Sequence, residues 1–303
     1  MPRVSLGCFS LKAYPLLPIT ELTMGFPAFK LAMGQMLVEG GRVEENLKRA
    51  ERMISNAAQE KCNVIVLPEC LDVGWTHPNA REHAREIPGE TSDRLCRAAR
   101  NGDIMIVAGL TEREGSRIYN SAVLIDRLGK IRLKHRKINE LNIAHDLYSI
   151  GNTLSVAESE LGVVGVNICA DNFENSLAIG HVLARMGAHF IFSPSAWAVS
   201  PDHDNTKQPY GETWRRAYST LCRLYGITIV GVSNVGWVEA GPWKGRKVIG
   251  CSLAVGHDGE VLTKAPYGHN AEALITLTLQ AQPRDVRGTG YGSYLKARGY
   301  EGP

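Results

Sequence analysis

The chain predicts an α/β protein with mixed sheets and helices on the outside, and three observations carry that reading. Amphipathic stretches of helical period alternate with short, wholly apolar runs. Those runs stop at Pro, Gly or Asn, as buried strands do. Two further pairs of strand-like segments lie next to each other across turns that contain Gly.

The first helix is clearest at Val43 to Gln59. Val43, Leu47, Ala50, Ile54, Ala57 and Ala58 fall on one face, while Glu44, Glu45, Lys48, Arg49 and Arg52 turn outward. Asn63-Val-Ile-Val-Leu-Pro-Glu69 then reads as a strand buried on both faces and ended by proline. The theme repeats in helix Ser92 to Arg100, strand Ile104 to Ala108, strand Val163 to Ile168, helix Asn175 to Met186 and strand His189 to Phe192. A helix from Thr213 to Tyr225 and a strand from Ile227 to Val232 follow. Ser121 to Asp126 with Ile131 to Lys134, and Ile249 to Val255 with Val261 to Lys264, read as hairpins. A helix–strand–proline unit recurs at Glu44–Glu69 and Ser176–Ser195, hinting at two similar halves, but the match is too weak to count as a repeat. The expected division is an extension at 1–27, one domain at 28–280 and a polar, Gly-rich tail at 281–303.

Composition narrows the function. With 34 basic and 31 acidic residues the net charge is +3, and no block of Lys or Arg would track a phosphate backbone, so nucleic acid is not an expected partner. Seven cysteines without a C-x-x-C pair favour neither a disulfide framework nor a zinc knuckle, which fits a reducing cytoplasm. No apolar run is long enough to span a bilayer, so no membrane role is expected. Met1 to Phe26 lacks the apolar centre of a signal peptide, because Pro15, Pro18 and Glu21 interrupt it; it reads as an extension upstream of Met24. Neither H-x-x-x-H nor H-E-x-x-H occurs, so no metal site is expected. Gly288-Thr-Gly290 and Gly290-Tyr-Gly292 follow no strand and do not read as a dinucleotide fingerprint.

Ligands of open α/β sheets bind beyond the carboxyl ends of strands. Glu69, Lys137 and Cys169 each follow a strand, so an acid, an amine and a thiol converge on one rim if those strands are neighbours. A thiol with an ordinary pKa of about 8.5 needs a base or a positive field to attack at neutral pH. Glu69 is suited to take its proton and later to activate water, and Lys137 to stabilise thiolate and oxyanion. The backbone N–H of Ala170 is a natural second oxyanion donor.

Taken singly these residues say little, but their surroundings resemble the nitrilase superfamily of carbon–nitrogen hydrolases. Val64-Ile-Val-Leu-Pro-Glu69 is similar to its first catalytic block, and Tyr119 to Asp126 with His135-Arg-Lys137 to its second. Gly165-Val-Asn-Ile-Cys169-Ala-Asp171 is similar to its nucleophile block, and Gly187 to Trp197, Val232 to Gly236 and Gly250 to Val255 follow in order. The resemblance implies a four-layer αββα sandwich, catalysis by Glu69, Lys137 and Cys169 through a thioester without a cofactor, and a homodimer or higher homo-oligomer. It implies a small amide, N-carbamoyl or nitrile substrate, with nitrile hydrolysis, acyl transfer, a non-catalytic dimerising homologue and a redox thiol as the competing readings. Two departures stand out. The family's second glutamate is represented by Glu140, His145 or Asp146, and the usual Phe-Pro-Glu string by Asn172-Phe-Glu174. Pocket candidates are Trp75, His77, Glu140, Asp146, Asp171, Asn172 and Trp197, while Trp214, Trp237 and Trp243 read as core or interface.

Overall fold

The long apolar runs form the centres of two sheets. The computed structural model describes residues 26–284, 286–300 and 302, so most of the extension expected at 1–27 lies outside the described residues. The first half of the chain runs β1 (Phe29–Gln35), α1 (Val43–Gln59), β2 (Val64–Val66), α2 (Ala80–His83), α3 (Glu90–Gly102), β3 (Met105–Glu114), β4 (Arg117–Ile125) and β5 (Ile131–Arg136). The second runs β6 (Val156–Ser159), β7 (Gly162–Val166), α4 (Leu177–Arg185), β8 (Phe190–Ser195), β9 (Ala198–Val199), α5 (Gly211–Tyr225) and β10 (Thr228–Ser233). It continues with β11 (Val235–Trp237), β12 (Lys247–Ile249), β13 (Leu253–Val255), β14 (Val261–Lys264), β15 (Ala273–Leu279) and α6 (Tyr291–Lys296).

Two mixed six-stranded sheets result, ordered β15-β1-β2-β3-β4-β5 and β14-β13-β10-β8-β7-β6. Strand alternation sorts their side chains into layers. Leu31, Met33, Val64 and Val66 of the first sheet join Val164, Val166, Phe190 and Phe192 of the second in the inner core. Ala32 and Ile65 point the other way, onto Leu47, Ala50 and Ile54 of α1 and Leu95 of α3. Helices α4 and α5 cover the outer side of the second sheet, contributing Leu183, Trp214 and Leu221 to the core. This is the αββα arrangement that the family resemblance implied. Each fully buried Leu, Ile or Phe contributes roughly 1.5–3 kcal/mol to it.

Three details differ from expectation. The segment read as one strand from Ile249 to Val255 is broken, because Gly250 and Cys251 adopt φ of 59° and 61°. A Cβ at Gly250 would lie 2.3 Å from the Gln35 amide, and Gln35 Oε1 accepts from Ser252 N at 3.0 Å. The contact that breaks the strand therefore comes from β1. Second, β2, β5 and β7 are not neighbours: β3 and β4 separate the first two, and β7 belongs to the other sheet. Third, residues beyond 280 continue the same core. Ala281, Tyr291 and Leu295 are buried in it, and Arg284 donates to the Gly187 carbonyl beyond α4 at 2.6 Å.

Candidate active site

Although their strands are not adjacent, Glu69, Lys137 and Cys169 meet where the ends of the two sheets face each other. Glu69 and Lys137 are each 1% exposed and Cys169 is 9% exposed. Lys137 Nζ donates to Glu69 Oε1 at 2.7 Å, and Asn120 Nδ2 donates to the same oxygen at 2.6 Å. Glu69 and the Ala196 backbone N–H lie near enough to the Cys169 thiol to shift its ionisation. Carboxylate, ammonium and thiol thus form one contiguous unit.

Backbone contacts fix each partner. The Glu69 N–H donates to Ser195 O at 3.2 Å, joining the central strands of the two sheets. Glycine at 109 lets β3 approach this turn, since a Cβ there would sit 2.5 Å from Glu69 Cα. Lys137 is held by its N–H to Asn120 O at 2.9 Å and by Gly151 N–H to Lys137 O at 2.8 Å. Cys169 opens a 3₁₀ turn, Cys169–Asn172, with φ of 44°, a left-handed conformation that costs a non-glycine residue about 1–3 kcal/mol. Asn139 Nδ2 and Ser176 Oγ both donate to the Ala170 carbonyl, at 2.7 and 2.8 Å.

The electrostatics follow from burial. Desolvation pushes the Cys169 thiol well above its ordinary range, Glu69 adds to that, and Lys137 opposes it. Burial alone would pull Lys137 down, but the charges of Glu140 and Glu69 outweigh it and hold the ammonium well above its ordinary range. Glu140 Oε2 lies 3.7 Å from Lys137 Nζ. Burial raises its carboxyl to about 7 despite the nearby Lys137.

The remaining candidates separate clearly. Trp75 lies under Lys137, with Nζ 5.8 Å from the ring centroid. His77 is half-buried, and its ring fills the space that a Cβ at Gly40 would meet at 2.7 Å. A cavity of about 20 Å³ between Trp75, His77, Ala196, Asn234 and Trp237 is large enough for one small polar group. Trp75 Nε1 and Asn234 Oδ1 are buried without partners among the described residues. Trp197 is fully buried and stacks on Trp214 at 4.9 Å, so it belongs to the core and does not line that cavity.

Other candidates lie elsewhere. Asp146 and His145 are exposed, which leaves Glu140 as the acid beside Lys137. Asp171 and Asn172 are buried braces and not pocket walls. Asp171 accepts from His135 Nε2 at 2.8 Å, Asn139 N at 2.8 Å and Ile168 N at 3.0 Å, tying the Lys137 and Cys169 turns together. Asn172 Nδ2 donates to Ser193 Oγ at 2.8 Å and to Asn167 Oδ1 at 2.9 Å. Asn120 and the Ala196 N–H were not foreseen. A polar residue that strands disfavour, set among apolar neighbours in Tyr119 to Ile125, was the available signal for Asn120.

The carbon–nitrogen hydrolase family model matches residues 30–287. The chain belongs to the carbon–nitrogen hydrolase family. Membership makes it an enzyme of amide-type carbon–nitrogen hydrolysis. It is 29% identical over 251 residues to the omega-amidase NIT2 of Xenopus tropicalis, covering 78% of this chain and 84% of that protein. It is 32% identical over 242 residues to a nitrilase of Pyrococcus abyssi, covering 78% of this chain and 84% of that one. Its fold matches a carbon–nitrogen hydrolase from Helicobacter pylori G27 with a TM-score of 0.73 at 20% identity, over 83% of this chain and 89% of that chain.

Proposed function

We propose that the protein hydrolyses a small amide or N-carbamoyl substrate through a thioester on Cys169. The observation that carries this reading is the buried pair Lys137 Nζ–Glu69 Oε1, 2.7 Å apart, beside the thiol. Cys169 Sγ attacks the carbonyl carbon while its proton passes to Glu69. The carbonyl oxygen becomes an oxyanion facing Lys137 Nζ and the Ala170 N–H. Collapse breaks the carbon–nitrogen bond, and Glu69 returns the proton to the leaving nitrogen. Water then gives a proton to Glu69 and adds to the thioester; the acid leaves, and the proton returns to sulfur. The raised thiol pKa supports this order, because Cys169 rests protonated and ionises only as it attacks.

With Asn120 and Lys137 both bonded to Oε1 of Glu69, the other carboxylate oxygen is the one suited to proton transfer. Glu140 holds Lys137 cationic. The same thiol could add to a nitrile carbon, the second reading, which the 32% identical nitrilase supports. The domain assignment proposed is one catalytic unit from 28 that runs past 280, since Ala281, Tyr291 and Leu295 are buried in the same core. A homo-oligomer is supported by Val182 on α4 and Met186 just after it, 41% and 44% exposed. A reducing cytoplasm is supported by six free cysteines among the described residues, and no described helix is long and apolar enough to cross a membrane.

Intact-mass measurement during turnover of amides, N-carbamoyl amines and nitriles tests the reading. Expected is an acyl mass on Cys169 with release of ammonia or amine from the amide or N-carbamoyl set. Turnover of nitriles alone would replace it with the second reading, and turnover by Cys169→Ala would sink both.

A further inference from the structure

We propose that Tyr148 and Cys70 are positioning residues, two links of a buried hydrogen-bond relay that holds the Asn120 amide against Glu69. This rests on the hydrolase reading and names what keeps its proposed base aligned with the thiol.

Thr76, Tyr148, Cys70 and Asn120 are all buried, none of them more than 2% exposed. Polar atoms placed there need partners within the protein, and here the partners run in one direction. The Thr76 N–H donates to Tyr148 Oη at 3.2 Å, which leaves the tyrosine its own proton to donate. That proton has Cys70 Sγ as its acceptor, 3.7 Å away. Cys70 Sγ donates to Asn120 Oδ1 at 3.4 Å, and Asn120 Nδ2 donates to Glu69 Oε1 at 2.6 Å. Burial holds the Cys70 thiol well above its ordinary range, with Glu69 adding to that. Burial does the same to the Tyr148 hydroxyl, with Cys70 adding. Both groups therefore remain donors at neutral pH.

An amide has a donor end and an acceptor end, and only the donor end suits a carboxylate. A thiol proton on Oδ1 fixes the Asn120 amide with Nδ2 toward Glu69. Lys137 Nζ donates to the same Oε1 at 2.7 Å. Two donors thus pin one oxygen of the carboxylate and leave the other for the thiol proton. Without the relay, Asn120 has no partner on Oδ1 and is free to turn, and Glu69 turns with it.

The backbone around the relay is strained at the residues that supply it. Cys70 and Thr76 adopt φ of 44° and 58°, left-handed conformations that a side chain makes costly. Each of the two places one relay atom, Sγ of Cys70 and the N–H of Thr76. The segment between them carries Trp75, whose ring centroid lies 5.8 Å from Lys137 Nζ. Tyr148 is fixed from the other side. Its N–H donates to Ala144 O at 2.9 Å, and Ser149 N–H donates to Ile118 O at 2.8 Å, two residues before Asn120 on β4. Trp75, Ala84, Ile118 and Ala144 make the surroundings of the sulfur apolar. A thiol suits that place, since it packs as a small apolar group and still offers a weak donor.

The test compares Cys70→Ala, Cys70→Ser, Tyr148→Phe and the double variant Cys70→Ala/Tyr148→Phe, with circular dichroism to check each fold. Two rates are read: kcat on the amide or N-carbamoyl substrate turned over, and iodoacetamide labelling of Cys169, which also needs the thiol proton removed. Cys70→Ala and Tyr148→Phe should each lower both by about tenfold with KM retained. Cys70→Ser keeps a donor and should stay within about threefold of the wild type. The double variant should be about as slow as either single one, because links of one relay fail together. A single variant, Cys70→Ala or Tyr148→Phe, within about threefold of the wild type overturns the proposal. So does Cys70→Ser as slow as Cys70→Ala, a double variant whose losses multiply, or a loss carried by KM. Where Cys70→Ala does not fold, Tyr148→Phe decides by the same threshold. Labelling separates this inference from the hydrolase reading, since it uses no substrate. Slowed labelling upholds the relay even if no amide is turned over. Amide turnover with kcat and labelling unchanged in both single variants upholds the hydrolase and sinks the relay.

Discussion

The two halves of the molecule follow one plan and carry different chemistry. Written outward from the same edge, the sheets run β15-β1-β2-β3-β4-β5 and β6-β7-β8-β10-β13-β14. Each has an antiparallel edge pair, two parallel pairs and then two antiparallel pairs. Val64-Ile-Val-Leu-Pro-Glu69 and Phe190-Ile-Phe-Ser-Pro-Ser195 occupy equivalent places, and their ends touch through Glu69 N and Ser195 O. By the same correspondence Lys137 matches Ala265, and Cys169 falls near the place of Val38. The first half supplies Glu69, Lys137 and Glu140, and the second supplies the thiol. Strand order thus builds duplicate positions, and single residues at strand ends decide which copy reacts.

The largest effect that would sharpen this contrast is expected at the thiol. Cys169→Ala should lose all turnover while keeping the fold, read by ammonia release and circular dichroism. One equivalent of iodoacetamide should label Cys169 ahead of the other cysteines. Residual turnover would move the nucleophile elsewhere.

The next effect sets the matched pair Glu69 and Ser195 against each other. Glu69→Gln should reduce the rate by about a hundredfold to ten-thousandfold and leave a slowly formed, long-lived acyl adduct. Lys137→Ala should cost roughly 2.7–4 kcal/mol of barrier and show almost no adduct, since it removes an oxyanion donor. Ser195→Ala, a surface-distant but non-ionising change, should cost less than about 1.4 kcal/mol, or tenfold. A Ser195→Ala loss as large as that of Glu69→Gln would mean that both halves share the chemistry.

Much of this plan was legible in the residues. Helix α1 and strand β14 keep their expected limits, and β2 (Val64–Val66) falls inside its expected run, because their pattern is local: one apolar face, one turn, one apolar run. The break at Gly250–Cys251 was not, since Gln35 imposes it across 217 residues of sequence. The similarity of the halves was hinted at by two helix–strand–proline units, but the side chains differ too much for the repeat to be read without the strand order. At the site, Glu69, Lys137 and Cys169 were marked by their strand ends and flanking blocks. Asn120 was hidden because its role depends on a partner 51 residues away, and Asp171 was placed in the pocket although its acceptors face backbone N–H groups.

A smaller effect is expected where the halves are tied. Asp171 of the second half accepts from His135 and Asn139 of the first, on either side of Lys137. Asp171→Asn replaces one acceptor oxygen by a donor facing buried donors, at a cost of about 1–3 kcal/mol. Thermal melts should show that loss, and the rate should drop because both turns shift together. An unchanged rate with a lowered melting temperature would show that the brace holds the fold without positioning the site.

The smallest and most discriminating effect belongs to Glu140, which has no ionisable counterpart across the pseudo-symmetry. Its carboxyl is raised from 4.5 to about 7 by burial, with Lys137 opposing and Glu69 adding. Two consequences of opposite sign follow. As pH falls through 7, Glu140 takes up a proton and Lys137 loses one of its two counter-charges, so the rate should decline on the acid side. Stability runs the other way. The folded chain binds this proton more tightly than the unfolded one, so ionisation costs stability, and the loss grows as pH rises from 4.5 to about 7. Glu140→Gln should therefore flatten the acid limb of kcat/KM near pH 7. Its melting temperature should also gain on the wild type as pH rises through that window. If the acid limb persists in Glu140→Gln while the melting temperatures diverge as expected, Glu140 is a stability group alone. The group governing the rate must then be sought elsewhere in the site. If both change together, one carboxyl trades stability for a charged Lys137, and the first half's excess of buried acid has its explanation.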